Sequence, residues 1–204
     1  MPSLAFHAAL PFILRWEGGF VDDPDDPGGR TNKGVTHKTY TDWRARKGLG
    51  PKDVKLIGDD EVAAIYEGDY WLAPRCDVLA SPLDLAQVDT AVNMGVRRAV
   101  RILQTALGCG VDGDFGPATA RAAAACDVGA TVAAYCNIRE GVYRNLAERN
   151  PKLGKFLKGW LNRLNALRKE AGLPGFEAAL DPADAGPIAR IADLPDGAAL
   201  EPWK

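Results

Sequence analysis

A glutamate at the end of an apolar run is the first residue of this sequence whose position suggests chemistry. Glu17 follows Ile13 by four residues and Leu14 by three. On a helix, this spacing places its carboxyl group on the same face as the apolar side chains. Partial burial and the negative end of the helix dipole both favour the protonated form of a carboxyl group, which is the form that a general acid needs. The alternative is a glutamate whose stem packs while its carboxylate reaches solvent.

The loop that follows Glu17 carries further carboxyl groups and several glycines. Cleavage of a glycosidic bond typically uses two carboxyl groups, one in an apolar setting and an ionised one in a wetter setting. Candidates for the second group are Asp22, Asp23, Asp25 and Asp26. Glycines allow the backbone to approach a ligand closely and to take a positive φ, and the loop holds Gly18, Gly19, Gly28, Gly29 and Gly34.

Other chemistries have less support in the sequence. The acidic runs "DDPDDPGG" and "VDGDFG" lack the alternating spacing and the terminal glutamate of an EF-hand calcium loop. The two histidines, His7 and His37, are not accompanied by a GxSxG motif or a cysteine–histidine signature of a nucleophilic triad. Neither GxxxxGK[ST] nor a GxGxxG motif after a strand is present. We therefore expect neither a metal ion nor a cofactor.

Helical patterns dominate the elements that must position these residues. Apolar residues up to Leu14 predict a helix that begins or kinks near Leu10–Pro11, holds Glu17 in its last turn and ends at Gly18–Gly19. The density of Asp, Pro and Gly from residue 20 to residue 36 predicts turns and a short hairpin. Further helices are predicted around Trp43, from Asp59 or Asp60 to Trp71, from Ser81 to Leu107 with a break near Asn93–Gly95, from Pro117 onward, and within 128–171 with a break near Asn150–Pro151. With about seven helices and one small β element, the predicted fold class is mainly α.

The composition narrows the class of protein. The chain has 204 residues, 47% apolar and 25% charged, with a net charge near −2, which is typical of a soluble globular protein of one domain or two small ones. Residues 139–170 contain nine Lys or Arg and three Glu, which indicates either a polyanionic neighbour or a solvated helix face. The four cysteines show no metal-binding spacing, and we expect them to be reduced.

With these residues assembled, the stretch from Glu17 resembles the signature of glycoside hydrolase family 108, N-acetylmuramidases related to phage lysozymes. "EGGF" stands where the family has "EGGY", and "DPDDPGGRTNKGVT" is similar to its D-P-x-D-x-G-G-x-T-x-x-G-I-T run. The later segments "LDLAQVDTAVNMGVRRAVRILQTALGCGVDGDFGPATARA" and "FLKGWLNRLNALR" resemble the predicted peptidoglycan domain that usually accompanies this family. The resemblance covers residues 4–173.

The resemblance implies a lysozyme-like, mainly α fold in which a small β hairpin carries the active-site loop. It makes Glu17 the essential acid that cleaves the β-1,4 bond between N-acetylmuramic acid and N-acetylglucosamine. Related phage lysozymes have an aspartate nine residues and a threonine fifteen residues after this glutamate. Asp26 matches the aspartate, with Asp25 as its rival, whereas position 32 is Asn and Thr31 precedes it. The second catalytic group is therefore expected to be Asp26, with Thr31 as a partner of water or of a carboxylate.

Three further residues are candidate substrate contacts. The amide of Asn93 could hydrogen-bond an N-acetyl group, or Asn93 could be a helix cap. Tyr70 and Trp71 could stack on a sugar face, although their helical spacing from Tyr66 is also typical of core residues.

The function predicted from these observations is a peptidoglycan hydrolase, with a lytic transglycosylase or a non-catalytic peptidoglycan-binding or scaffold protein as alternatives. Residues 1–84 are expected to form the catalytic region. Residues 85–173 are expected to form a helical peptidoglycan-binding region that packs with the first as one lysozyme-like unit, and residues 174–204 a tail rich in Pro, Ala and Asp. The expected partner is the glycan strand of peptidoglycan, with no nucleic acid and no stable membrane insertion, and we expect a monomer.

The expected location follows from the same sequence. No stretch approaches the roughly 18 to 20 apolar residues that a membrane helix needs. The N-terminal apolar run lacks a basic leader and a small-residue cleavage site. We therefore expect synthesis in the cytoplasm without a clear signal peptide and action in the periplasm or cell wall after export or holin-dependent release.

Overall fold

The structure, a computed structural model, describes residues 3–22 and 29–175 of the chain. Contacts within the chain separate two compact units, residues 1–72 and residues 73–204, which we call unit 1 and unit 2. The predicted boundary at residue 84 lies farther along the chain, inside a helix of unit 2. The acidic tail predicted from residue 174 lies outside the described residues from residue 176 onward.

Unit 1 begins with helix α1, Leu4–Leu14, whose first turn is capped by the Ser3 side chain. Pro11 lies inside this helix, so the alternative that the helix begins at Leu10 is wrong. The prediction that Glu17 occupies the last helical turn is also wrong, because α1 ends at Leu14. Glu17 N donates instead to the carbonyl of Leu14 at 3.3 Å, in a turn of i→i−3 bonds that is tighter than an α-helix.

A small antiparallel hairpin follows, as predicted. It consists of β1, Thr31–Asn32, and β2, Val35–Thr36, with Thr31 opposite Thr36 and Asn32 opposite Val35. The two residues of its turn both have positive φ, 50° at Lys33 and 74° at Gly34, as the tightest hairpin turns require. Val21 pairs with Thr31 through two backbone hydrogen bonds of 2.8 and 2.9 Å, which bring the chain just after Glu17 alongside the hairpin.

The rest of unit 1 is helical. Helix α2 is His37–Arg46, a 3₁₀ turn spans Val54–Leu56, and helix α3 is Asp59–Tyr66. Gly58, rather than Asp59 or Asp60, is the N-cap of α3, and its backbone N–H donates to the Glu61 carboxylate at 3.1 Å. The predicted continuation to Trp71 exists, but it is a π-helix, Glu67–Leu72.

Unit 2 contains five helices in its described part: α4 (Leu83–Met94), α5 (Val96–Ala106), α6 (Pro117–Ala125), α7 (Val128–Arg149) and α8 (Gly154–Glu170). Gly95, with φ of 87°, breaks the chain between α4 and α5 close to the predicted point. Pro117 lies in the first turn of α6, and the break between α7 and α8 falls at Asn150, also as predicted. The described residues thus form eight α-helices where about seven were expected, and none of those helices is long and apolar enough to cross a membrane.

All twelve residues of α4 are buried, and two of them, Asp84 and Asp89, carry carboxyl groups. The carboxylate of Asp89 accepts hydrogen bonds from Arg139 Nη1 at 2.6 Å and from Arg163 Nε at 2.8 Å, and all three side chains have no exposed surface. Burial alone would raise the pKa of Asp89, but the guanidinium groups of Arg163 and Arg139 outweigh it, and the pKa is lowered. Two of the nine basic residues in the 139–170 stretch are therefore core residues of unit 2.

Candidate active site

Glu17 lies where the turn after α1 meets the hairpin. The residue is only 8% exposed, and Trp16 beside it is equally buried. The side chain of Glu17 therefore packs into unit 1, which contradicts the alternative of a carboxylate that reaches into solvent. Its burial depends on the turn after Leu14 rather than on a helix face.

The turn of the hairpin lies beside the carboxyl group of Glu17, and we call Gly34 together with the Tyr66 hydroxyl the seat of this group. A Cβ atom on Gly34 would lie 2.7 Å from Glu17 Oε2 and 2.3 Å from the hydroxyl oxygen of Tyr66. Real Cβ atoms do not approach that closely, so only glycine fits between the carboxyl group and the phenol. The same residue needs a positive φ for the turn. Tyr66, at the end of α3, donates its hydroxyl proton to the carbonyl of Lys33 at 3.0 Å and so attaches α3 to this turn.

The hairpin is fixed to the rest of unit 1 from its inner side. Asn32 is buried, and its Nδ2 donates to the carbonyls of Val54 and Lys55, each at 3.2 Å. Ion pairs Arg30–Asp53 and Lys33–Asp59 add contacts near the ends of the turn. The amide of Asn32 therefore has a structural role in unit 1.

The residues predicted as the second catalytic group are only partly described. Asp26 and its rival Asp25 lie outside the described residues. Thr31 lies in β1, half-buried, and its Oγ1 donates to the carbonyl of Gly29 at 3.2 Å. Asp22, the acidic residue of the loop that is described, is exposed at the end of the segment that pairs with Thr31.

The three predicted substrate contacts lie in different settings. Trp71 is 1% exposed and packs edge-on against Phe6 with ring centroids 5.7 Å apart, so it is a core residue of unit 1. Asn93 is fully buried in unit 2, where its Oδ1 accepts from the hydroxyl of Tyr143 at 2.7 Å. Tyr70 is half-buried, with its ring 5.5 Å from that of Tyr66. Of the three, only Tyr70 has surface that a sugar could cover.

A second carboxylate of unit 1 is held very differently from Glu17. Glu61 accepts hydrogen bonds from Lys52 Nζ at 2.8 Å, from the Tyr40 hydroxyl at 2.7 Å and from the guanidinium of Arg44. Burial would raise the pKa of Glu61, but these bonds and that from Gly58 lower it to about 2. Glu61 is thus an ionised structural residue at neutral pH.

Among residues 3–22 and 29–175, no group of three or more His, Cys, Asp or Glu is arranged to hold a metal ion.

The sequence pointed to Glu17 and to Gly34 as a residue of the glycine-rich loop, but it did not single out Tyr66. Only its spacing to Tyr70, four residues on, linked Tyr66 to the predicted site.

Comparisons with known proteins identify the family of the chain. The family model described as glycosyl hydrolase 108 matches residues 10–95, and the model described as predicted peptidoglycan domain matches residues 98–165. Among solved structures, the chain is similar to the one titled "Structure of Brucella abortus SagA", with 32% sequence identity and a TM-score of 0.70. That match covers 86% of this chain and 98% of the SagA chain. No curated protein matches the chain.

Proposed function

This chain belongs to the glycosyl hydrolase 108 family, and we propose that it hydrolyses the β-1,4 bond between N-acetylmuramic acid and N-acetylglucosamine with Glu17 as the general acid. Its membership in the family and its peptidoglycan domain make it a lysozyme-like glycoside hydrolase with peptidoglycan as its ligand. The particular bond and the catalytic residues are the proposed part.

The observation that carries the role of Glu17 is its seat against the hairpin. A general acid must be held at a fixed place, and Gly34 leaves the gap in which Glu17 Oε2 and the Tyr66 hydroxyl both lie close to the hairpin turn. No other carboxyl group of described unit 1 combines burial with contact to the glycine-rich loop, since Glu61 is ionised in its own network.

The proposed reaction needs two further contributions. The proton of Glu17 passes to the glycosidic oxygen, the bond to the muramic acid C1 breaks, and positive charge develops on the ring. We propose Asp26 as the carboxylate that stabilises this charge or orients water, with Asp25 as its rival and Thr31 as a hydrogen-bonding partner. Water then adds at C1 and leaves its second proton with the carboxylate of Glu17. Tyr70 is the proposed platform for a sugar ring.

The test measures new reducing ends released from purified peptidoglycan by wild type and by Glu17→Gln. General acid catalysis typically contributes between 10² and 10⁴ in rate, so we expect the variant to lose about 1,000-fold. Glu148→Gln is the matched control, because Glu148 is an exposed glutamate of α7 and the change in charge is identical. Equal release by wild type and Glu17→Gln would remove Glu17 from the proposed role.

Mass spectrometry of the products separates the remaining alternatives. Hydrolysis leaves reducing N-acetylmuramic acid ends, whereas a lytic transglycosylase leaves 1,6-anhydro ends, since no water enters. If the wild type gives anhydro products and Glu17→Gln does not, Glu17 remains the acid, but the reaction is that of a lytic transglycosylase rather than hydrolysis. Binding without any product from the wild type would favour the non-catalytic alternative.

The place of action follows from the ligand. A protein that binds and cleaves peptidoglycan acts in the periplasm or cell wall, and we propose that it arrives there by export or holin-dependent release and acts as a monomer. Fractionation of cells and sedimentation of the purified protein test the two parts separately.

A further inference from the structure

Three arginines at the start of α5 form a basic surface that the proposed hydrolysis does not use. Arg101 follows Arg97 by four residues and Arg98 by three, so it is a neighbour of both on the surface of the helix. We call these three residues the arginine face. Arg97 is exposed, and the other two are half-buried. Helix α5, VRRAVRILQTA, contains no acidic residue that could offset them.

The placement of Arg98 costs stability in several ways. Its Nη1 donates to the carbonyl of Met94 at 3.3 Å, and no described residue gives it a carboxylate partner. Burial, followed by the nearby charge of Arg101, lowers its pKa. Like charges three or four residues apart, and cations near a helix N-terminus, both destabilise a helix. A half-buried guanidinium without an anion is typical of a site that an anion completes on binding.

The loop beside the face holds the arginine side chains in place. A Cβ atom on Gly113 would lie 2.8 Å from Arg97 Cγ and 3.1 Å from the Nε atoms of both Arg97 and Arg101. Gly113 has φ of 85°, so glycine is needed both for the turn and for the close packing. The side chains of Arg97 and Arg101 therefore lie against the backbone of this loop.

The loop is itself fixed by a single buried amide. Gln104 accepts from the backbone N–H groups of Asp112 and Gly113 at 3.1 and 2.9 Å, and its Nε2 donates to Asp112 Oδ1 at 2.7 Å and to Thr119 Oγ1 at 3.1 Å. The carboxylate of Asp112 lies near the arginine face, and its negative charge partly offsets the positive charge of Arg97. Among the described residues, no carboxylate offsets the charge of Arg98 in the same way.

We propose that Arg97 and Arg98 bind a carboxylate of the peptide stems of peptidoglycan, and this inference rests on the proposed function. Arginine recognises carboxylates through paired, charge-assisted hydrogen bonds, whereas the hydroxyl and N-acetyl groups of the glycan are neutral. The peptides attached to the glycan carry free carboxylates, so they are the part of this ligand that the charge fits. The match to the peptidoglycan domain begins at Arg98, which places the arginine face at the start of that domain.

The test measures binding of the full chain to two forms of the same cell wall. Sedimentation with purified sacculi is compared with sedimentation after an amidase has removed the peptides. The stripped glycan keeps one lactyl carboxylate on each muramic acid, so the two materials differ in the peptide carboxylates and not in the presence of all negative charge. All proteins carry Glu17→Gln, and the added changes are Arg97→Gln with Arg98→Gln, Arg98→Lys, and Arg149→Gln as a control on an exposed arginine of α7. Hydrolysis by the same variants with Glu17 intact is measured in parallel on stripped glycan.

We expect the double variant to bind intact sacculi about tenfold or more weakly, because a hydrogen bond to a charged group is worth about 1.5–3 kcal/mol and 1.4 kcal/mol corresponds to a factor of ten. Arg98→Lys keeps the charge but not the paired hydrogen bonds of a guanidinium group, so we expect its affinity to lie between that of the parent and that of the double variant. Arg149→Gln is expected to bind as the parent does. On stripped glycan all four proteins bind alike. Undiminished binding of the double variant to intact sacculi, or an equal loss on both materials, overturns the proposal.

Two further readouts separate this site from other roles. The melting temperature of Arg98→Gln is expected to be no lower than that of its parent, because the change removes an unpaired, half-buried charge; a clear fall would make Arg98 a structural residue. Release of reducing ends from stripped glycan is expected to be the same with and without the arginines. If Glu17→Gln proves fully active, the proposed function fails, whereas the binding comparison still decides the role of the arginine face.

Discussion

Two buried carboxyl groups of this chain, Asp89 in unit 2 and Glu17 in unit 1, are held by opposite kinds of neighbour. Asp89 is enclosed by two guanidinium groups and a helix whose residues are all buried. Within its own unit, Glu17 lies against the backbone of a hairpin turn and a phenol. Burial would raise the pKa of Asp89, but the two guanidinium groups lower it and keep the group ionised, whereas the carboxyl group of Glu17 is placed by the shape of the hairpin turn.

The difference separates stabilising chemistry from catalytic chemistry. A carboxylate that is locked between two cations cannot give up a proton that it does not hold. The carboxyl group of Glu17 is placed instead by a shape, the gap left by Gly34, and we propose that it is the group that transfers a proton. We therefore expect changes at Asp89 to reduce stability and changes around Glu17 to reduce activity.

The largest effect on stability is expected for Asp89→Asn. The change leaves two fully buried guanidinium groups without their carboxylate, and breaking one partner of a buried pair costs about 3–5 kcal/mol. Denaturant unfolding measures this, with Glu17→Gln as the comparison, for which we expect a change below about 1 kcal/mol. Similar losses for both variants would contradict the contrast between the two carboxyl groups.

The next effect is expected for Gly34→Ala. A side chain there must adopt a strained φ and meet Glu17 Oε2 and the Tyr66 hydroxyl, and misplacing a catalytic group by about 1 Å can cost about 100-fold in rate. Gly48→Ala is the matched control, because Gly48 also has a positive φ of 68° but its Cβ would meet nothing within 4 Å. Rates of reducing-end release are expected to fall for Gly34→Ala alone. Equal activity of the two variants would mean that the seat does not position the acid.

A third carboxylate, Glu61, shows what an ion-paired group in unit 1 contributes. Its pKa is lowered to about 2 from an ordinary 4.5, so its contribution to stability is complete above pH 4.5 and is lost as the pH falls toward 2. We expect Glu61→Gln to destabilise the protein by about 2–3 kcal/mol at pH 7 and by much less at pH 3. Denaturant unfolding at the two pH values checks this. A loss that is independent of pH would show that the carboxylate is not held in its ionised form.

The smallest effect is expected for Tyr66→Phe. Removing the hydroxyl deletes its hydrogen bond to the Lys33 carbonyl, at a cost of about 1 kcal/mol, and loosens the seat of Glu17, for which we expect about a tenfold fall in kcat. Tyr40→Phe is the control, because that hydroxyl also bonds within unit 1, to Glu61, without touching Glu17. A fall in kcat of the same size for both variants would make the effect one of general stability.

The sequence predicted those parts of the molecule that local chemistry determines. Gly95 interrupts two helices, Pro117 begins another, and the glycine-rich stretch before Thr36 forms a hairpin, because each depends on the φ that a single residue can adopt. The end of α1 was not predicted, because the turn after Leu14 replaces a further helical turn although the apolar spacing continues.

The contacts between distant residues could not be read from the sequence. Arg139 and Arg163 lie 50 and 74 residues after Asp89, and before folding their charges look like part of a solvated or polyanion-binding stretch. Tyr66 lies 33 residues after Lys33, so only the packing of α3 against the hairpin shows that it belongs to the site. Glu17 and Gly34 could be singled out because they belong to one recognisable motif in the chain, whereas Tyr66 lies outside that motif.

The amide of Asn32 has a consequence for how a polymer reaches the acid. Its two hydrogen bonds fasten the back of the hairpin to the 3₁₀ turn, so lifting the hairpin would expose two buried carbonyls and an unsatisfied amide at once. The hairpin therefore behaves as a fixed wall rather than a flap. For the proposed glycan substrate, we therefore expect the strand rather than the hairpin to change shape on binding.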